Sequence, residues 1–204
     1  VTAGRCSNSS NANDISVGLP LNVAATQTGE LPVDAGTGTV TINTAAHGAA
    51  GLDIGAMAND TFYAVYAIGD SFGIEPGSAL ISANLSAPLL PAGYDMYFRI
   101  GFIKSNGSAQ ILPFRQDGCG LDRWMWYDAP IATDITSGSS ASYASVSCVA
   151  SLPAATPTMV NFYCAFTPTA ADDTLVLVPG TSTSTLGYAT LSGSVAAVVV
   201  TGNL

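Results

Sequence analysis

The chain has 204 residues, of which 48% are hydrophobic and only 9% are charged, and its formal net charge is −9. The hydrophobic fraction predicts a sizeable core. Charge far below the roughly 25% of an average soluble protein indicates that other subunits cover much of the exterior, with an extracellular or thermally robust monomer with a Ser/Thr-rich surface as the alternative. Five Lys and Arg residues are too few to neutralise a phosphate backbone, which argues against a nucleic-acid partner.

Strand signals follow one another along the chain, whereas amphipathic helical periodicity is nearly absent. Most of the signals are bounded by Gly, Pro, Asn or Asp clusters, at the short spacing that is typical of a sandwich or barrel. We therefore predict an all-β fold, built as an antiparallel β-sandwich. The predicted strands are residues 39–44, 61–68, 78–85, 96–104, 109–116, 123–128, 141–150, 159–166, 174–178, 186–192 and 195–201.

The ends and the middle of the chain suggest its domain organisation. Residues 1–13, which include the polar run SNSSNAN, predict an extended N-terminal arm that orders only against a partner. Residues 14–204 are assigned to a single β-domain, with a possible seam at 127–142 and two domains as the alternative. No run of 18 apolar residues and no signal-peptide pattern occurs, so we expect a soluble chain without a membrane partner.

Asn106-Gly107 predicts a two-residue type I′ turn between the strands at 96–104 and 109–116. This register pairs Phe102 with Ile111 and places Arg99 opposite Phe114, where the guanidinium can lie on the ring and still reach a carboxylate. Two sets of residues should then face opposite ways: Met96, Phe98, Ile100 and Phe102 towards the core, and Tyr97, Arg99, Gly101 and Ile103 away from it. Lys104 and Arg115 fall at strand ends, where long side chains reach water.

The segment TFYAVYAI at 61–68 has apolar or aromatic residues on both faces. Such a strand is expected to be covered on both sides. The second cover is either another layer of the same chain or a neighbouring subunit.

The sequence contains no pattern that predicts catalysis, a cofactor or a metal site. His47 is the sole histidine, and it lies in a segment of small residues without a G-x-S-x-G elbow. Most acids stand beside turn residues, where aspartate caps its own backbone. The acids at 116–118 and 171–173 lack the spacing of a calcium loop, and the four cysteines include no C-x-x-C pair.

The cysteines divide into two kinds. Cys148 and Cys164 alternate with apolar residues and are interpreted as buried thiols. Cys6 and Cys119 lie in polar, glycine-containing segments and are able to form a disulfide in an oxidising environment. Free thiols are the alternative for this second pair.

The segment RWMWYD holds the densest aromatic cluster, Trp124, Trp126 and Tyr127. Strand alternation puts both tryptophans on one face, which permits a platform for stacking on a sugar ring. The alternative is that they fill the core or a subunit contact, because aromatic residues also anchor protein interfaces.

Two segments, GLDIGAMANDTFYAVYAIGD (51–70) and LISANLSAPLLPAGYDMYFRIGFIKSNGSAQILPFRQDG (80–118), cover about a third of the chain. They resemble a module of structural proteins of tailed bacteriophages, with the pattern G-L-D-x-G, T-x-Y-x-V-Y-x-I, L-x-S, P-x-L-P-x-G-Y and R-I-G. The chain departs from it at Phe98, where a second basic residue is common. The matching residues are Gly51, Leu52, Asp53, Gly55, Thr61, Tyr63, Val65, Tyr66, Ile68, Leu80, Ser82, Pro88, Leu90, Pro91, Gly93, Tyr94, Arg99, Ile100 and Gly101.

This resemblance carries no catalytic residues and implies a virion component of β-sandwich or jelly-roll character. We expect a capsid cement or decoration protein on the exterior of an icosahedral phage head, where it bridges subunits of the major capsid protein. A homotrimer on local threefold axes is expected, with a dimer as the alternative. Other readings are a tail or fibre protein, a receptor- or carbohydrate-binding module, and a β-fold glycosidase. The candidate interface residues are Tyr63, Val65, Arg99, Ile103, Trp124 and Trp126.

Overall fold

A computed structural model of the chain describes residues 6–8, 13–18, 23–24, 32–33, 39–117, 124–128, 153, 159–164, 174–177, 189–192 and 198–203. The chain divides into two compact units, Val1–Ile131 and Ala132–Leu204. The single domain over 14–204 stays a prediction. The predicted strand at 141–150 lies outside the described residues, as does Cys119 of the predicted disulfide.

The described residues of the first unit form strands and no helices. Ten strands belong to it: β1 Cys6–Asn8, β2 Asp14–Gly18, β3 Val23–Ala24, β4 Pro32–Val33, β5 Thr39–Asn43, β6 Phe62–Gly69, β7 Ser78–Ser82, β8 Met96–Lys104, β9 Phe114–Asp117 and β10 Trp124–Tyr127. They form an antiparallel sheet in the order β10-β9-β1-β2-β5, a second in the order β7-β6-β8, and the pair β3-β4.

The second unit contains four described strands, β11 Met159–Cys164, β12 Thr174–Leu177, β13 Ala189–Ser192 and β14 Val198–Asn203. β11 pairs with β14 and β12 with β13, both antiparallel. The prediction of an all-β, antiparallel fold is therefore confirmed for the described part of the chain.

Within the predicted arm at 1–13, the described residues Cys6–Asn8 form a paired strand. β1 is the middle strand of the five-stranded sheet, where Cys6 pairs with Val17 on one side and Gln116 on the other. Its polar sequence, CSN, carries no strand signal of its own. These residues are ordered because ladders on both edges satisfy their backbone groups.

The two larger sheets bury one common hydrophobic cluster. Ile15, Val17, Ile42 and Phe114 come from the five-stranded sheet, and Tyr63, Val65, Ala67, Ala79, Ile81, Met96, Ile100 and Ile103 come from the three-stranded sheet. The opposite face of the three-stranded sheet buries Ala64, Tyr66, Ile68, Leu80 and Phe102, against which Leu85, Leu90, Tyr94, Tyr97 and Met125 pack. The chain itself therefore covers both faces of β6.

The predicted two-residue turn at Asn106-Gly107 is wrong. Ser105 pairs with Ile111, so the loop has five residues, and the Asn106 N–H donates to the Gln110 carbonyl at 2.7 Å. The Asn106 side chain accepts N–H bonds from Ser108 and Gln110 at 2.8 and 3.0 Å. Asparagine favours such side-chain caps as readily as type I′ turns, and here the cap prevails.

A β-bulge in β8 also changes the predicted faces. Tyr66 pairs with Arg99 and Val65 with Gly101, which leaves Ile100 as the extra residue. Beyond the bulge the alternation reverses, so Phe102 packs on the second face of the sheet and Ile103 in the common cluster. The predicted faces of these two residues are therefore wrong.

Gln116 of β9 is packed against this bulge. Its Nε2 donates to the Ile100 carbonyl at 3.1 Å. A Cβ at Gly101 would lie 1.9 Å from Gln116 Oε1. Only glycine at position 101 leaves room for this buried amide.

Candidate functional site

Tyr63, Val65 and Ile103, predicted as interface residues, lie in the common core cluster and are at most 1% exposed. The sequence identified them as residues on a second, partner-facing surface of the sheet. This placement is corrected, because strands and loops of the same chain cover both faces and leave these side chains no surface for a partner.

Arg99 lies on the second face of the three-stranded sheet and is half-buried. Its Nη1 donates to the Leu85 main-chain carbonyl at 2.7 Å. Its guanidinium carbon lies 4.8 Å from the centre of the Phe102 ring, so the predicted stacking on Phe114 is wrong. Arg99 thereby holds the segment after β7 against the sheet.

Tyr66 binds the same segment. Its hydroxyl donates to the Asn84 carbonyl at 3.0 Å, and its ring makes an edge-to-face contact with Tyr97 at 5.6 Å. Burial raises the pKa of Tyr66 to about 12, while the neighbouring charge of Arg99 acts in the opposite direction. The hydroxyl therefore stays protonated and donates across the usual pH range.

The tryptophan cluster is only partly a surface feature. Trp126 is 44% exposed, and the Arg115 guanidinium lies 5.4 Å from its ring centre. Arg115 also pairs with Asp117 at 3.2 Å. Tyr127 is half-buried and packs against the common core cluster, and burial raises the pKa of its hydroxyl. The side chain of Trp124 lies outside the described residues.

Metal-ligating side chains do not cluster among the described residues. No group of three or more His, Cys, Asp or Glu among them could hold a metal ion. His47 is exposed, and its Nε2 lies 2.6 Å from the Gly55 carbonyl in a loop contact. That the protein is not an enzyme stays a prediction.

The loop between β6 and β7 presents two large apolar side chains to water. Phe72 is 83% exposed and Ile74 is 81% exposed. The carboxylate of Asp70 accepts the N–H groups of Phe72 at 2.9 Å and Ile74 at 2.8 Å, and also that of Glu75 at 3.2 Å. These bonds, first of all that from Phe72, lower the pKa of Asp70.

A second carboxylate fixes the same loop to the chain before β8. Asp95 accepts hydrogen bonds from the backbone N–H of Ser71 at 2.8 Å and from its hydroxyl. The Tyr94 hydroxyl donates to the Pro76 carbonyl at 3.0 Å. Desolvation, and to a lesser extent the charge of Glu75, raise the pKa of Tyr94, which keeps this donor protonated.

These groups surround an open cleft of about 350 Å³, lined by Asp70, Phe72, Ile74, Glu75, Gly93, Tyr94 and Asp95. We call residues 70–76 the acidic-apolar loop. The sequence prediction recognised its aspartate as a turn residue, which the structure confirms at Asp70, but it missed Phe72 and Ile74. The available signal was a pair of large apolar residues inside a turn-rich segment, DSFGIEPG.

Asp53 organises a second exposed apolar pair in the same manner. Its carboxylate accepts the N–H of Ile54 at 2.8 Å and the N–H of Leu89 at 3.0 Å. Ile54 is 64% exposed and Leu89 is 59% exposed. In both places one aspartate fixes the backbone from which two apolar side chains project.

The chain matches no known protein family, no curated protein and no solved structure. Within the described part of the chain, no helix has the length and apolar character needed to cross a membrane.

Proposed function

We propose that this chain is a structural protein of a tailed-phage virion that acts as a cement or decoration protein on the head exterior. It binds the major capsid protein, bridges neighbouring capsid subunits and performs no chemistry. Its fold, in this proposal, is a jelly-roll-like sandwich, and it assembles as a homotrimer, with a dimer as the alternative. The resemblance at 51–70 and 80–118 supports the virion assignment.

The observation that carries the proposal is a pair of exposed apolar side chains on a fixed loop. Phe72 and Ile74 project from backbone whose N–H groups donate to the carboxylate of Asp70. Because Asp70 and Asp95 fix this loop beforehand, little conformational entropy is lost when such side chains enter a contact. Contacts of about 1,600 Å², several per subunit, would give the buried area that resists internal DNA pressure.

Mass spectrometry of purified virions tests this function. We expect the protein in the particle at hundreds of copies, because a decoration protein occupies repeated sites of an icosahedral lattice. A copy number like that of a tail fibre would assign it to the tail instead. Absence from the virion would overturn the proposal.

A receptor- or carbohydrate-binding module is the second candidate, and the exposure of Trp126 favours it. Intrinsic fluorescence should shift when host polysaccharide is added if this indole stacks on a sugar. A matched Trp126→Ala variant should then lose the shift. No response in the unmodified protein would favour the structural function.

A further inference from the structure

The acidic-apolar loop combines an apolar tip with a negative rim. Phe72 and Ile74 project from it, and three carboxylates, those of Asp70, Glu75 and Asp95, line the same cleft. None of the residues that line the cleft is cationic. The hydrogen bonds that Asp70 and Asp95 accept come from neutral backbone and hydroxyl groups, so they leave the negative charge in place.

We infer that this loop docks into an apolar recess rimmed by lysine or arginine on a protein other than this chain. The apolar tip supplies the buried area, and the carboxylates meet the basic rim and set the orientation. The inference rests on the proposed function only for the identity of the partner, which would then be the capsid surface.

A second copy of this chain offers a poor match among its described residues. Lys104 is 4% exposed and lies within the fold. Arg99 is bound to the Leu85 carbonyl, and Arg115 is paired with Asp117. A net charge of −9 adds repulsion between copies, so we assign the basic rim to a different protein.

A lipid surface fits less well for the same electrostatic reason. Membrane-binding segments combine apolar residues with lysine and arginine, which are attracted to anionic headgroups. Here carboxylates stand beside the two apolar side chains. Anionic headgroups would repel this loop.

The test uses the full chain and a fluorescent helical peptide with one leucine face flanked by lysines. A peptide in which glutamates replace the lysines is the charge control. The key variant is Phe72→Ser with Ile74→Ser. The matched variant is Ile54→Ser with Leu89→Ser, which removes another exposed apolar pair and, like the first, keeps every charge.

We expect the key variant to bind the leucine–lysine peptide at least about tenfold more weakly than the unmodified chain, because two large apolar contacts are lost. The matched variant should bind as the unmodified chain does. Glu75→Gln should weaken binding about twofold to threefold, and added salt should weaken it further. The glutamate peptide should not bind.

Three outcomes would overturn the inference. The first is equal weakening by both double variants. The second is binding to phosphatidylglycerol vesicles that the key variant abolishes, which would indicate a membrane. The third is a dimer, detected by light scattering, that the key variant dissociates. No virion enters this test, so its failure leaves the copy-number result standing, while absence from virions would overturn the function and leave the peptide result intact.

Discussion

Strand β6 buries its large apolar side chains, whereas the acidic-apolar loop that follows it exposes them. In β6 the side chains from Tyr63 to Ile68 are at most 3% exposed. A few residues later, Phe72 and Ile74 are almost fully exposed. The two regions differ in what satisfies the backbone N–H groups. β6 pairs with strands on both edges, whereas the carboxylates of Asp70 and Asp95 bind the loop.

This contrast shows that hydrophobicity alone does not decide which residues are buried. In a strand that pairs on both edges, the backbone N–H and C=O groups are hydrogen-bonded within the sheet and do not need water. Other layers of the protein can therefore cover both of its faces. A loop whose N–H groups are bound by a water-exposed carboxylate keeps its side chains outside. Apolar residues in such a loop are available for a partner, and that availability underlies the proposed function.

The same substitution in the two regions should give the largest contrast. Phe102→Ala removes a buried ring from the second face of the sheet and should cost about 4 kcal/mol of the free energy of unfolding, because a cavity remains. Phe72→Ala removes an exposed ring and should change that free energy by less than about 0.5 kcal/mol. Urea unfolding of both variants measures the two values, and similar losses would contradict the assignment of inside and outside.

The second-largest effect on stability is expected at the β-bulge in β8. Gly101→Ala should cost about 3 kcal/mol, because the new methyl group displaces the buried Gln116 amide from the Ile100 carbonyl. Gly107→Ala is the control, since its Cβ would meet Asp60 at an ordinary 3.6 Å. Chemical denaturation should show a large shift for the first variant and almost none for the second. Equal effects would exclude the close approach at Gly101.

Features set by residues close together in the chain could be predicted from the sequence, whereas features that involve residues of distant strands could not. The sequence predicts β6 from apolar residues on both of its faces and β8 from its alternating core-facing residues. The bulge at Ile100 was not predicted; there the Ile100 carbonyl accepts a hydrogen bond from Gln116, which belongs to the other sheet. Nothing within the segment 96–104 announces that partner.

Local ambiguity explains the other errors. Asn106 suits both a type I′ turn and a side-chain cap, and the sequence does not rank the two. β1 is a strand only because β2 and β9 pair with it. For the candidate site, the turn role of Asp70 could be predicted from its neighbours, whereas the exposure of Phe72 depends on the absence of a covering layer.

Removing either of two tyrosine hydroxyls should change the free energy of unfolding by a smaller amount. Tyr66→Phe removes the bond to the Asn84 carbonyl and should lower the free energy of unfolding by about 1 kcal/mol. Tyr127→Phe removes a buried hydroxyl that has no partner among the described residues. That change should be neutral or stabilising by up to about 1 kcal/mol, because a desolvated polar group disappears. Thermal unfolding of both variants measures these changes. A clear loss of stability in Tyr127→Phe would reveal a hydrogen-bond partner for the Tyr127 hydroxyl.

The smallest expected effect is the release of the acidic-apolar loop when Asp70 is protonated at low pH. N–H bonds from Phe72, and then from Ile74 and Glu75, hold the pKa of Asp70 below the ordinary value of 3.8. The stabilisation from a lowered pKa is complete above the unfolded-state pKa and is lost as the pH falls through the folded-state pKa. Because Asp70 is exposed to water, protonation of its carboxylate should release the loop and leave the rest of the fold intact.

Backbone amide resonances report this release directly. Those of Phe72, Ile74 and Glu75 should move together on acidification, with a common midpoint below 3.8. Glu75, Tyr94 and Asp95 face the same cleft, so Glu75→Gln is needed to separate the neighbouring carboxyl group from Asp70. In Asp70→Asn the common transition should vanish, because the amide does not titrate. A midpoint above 3.8, or a transition that survives in Asp70→Asn, would show that another group holds the apolar tip in place.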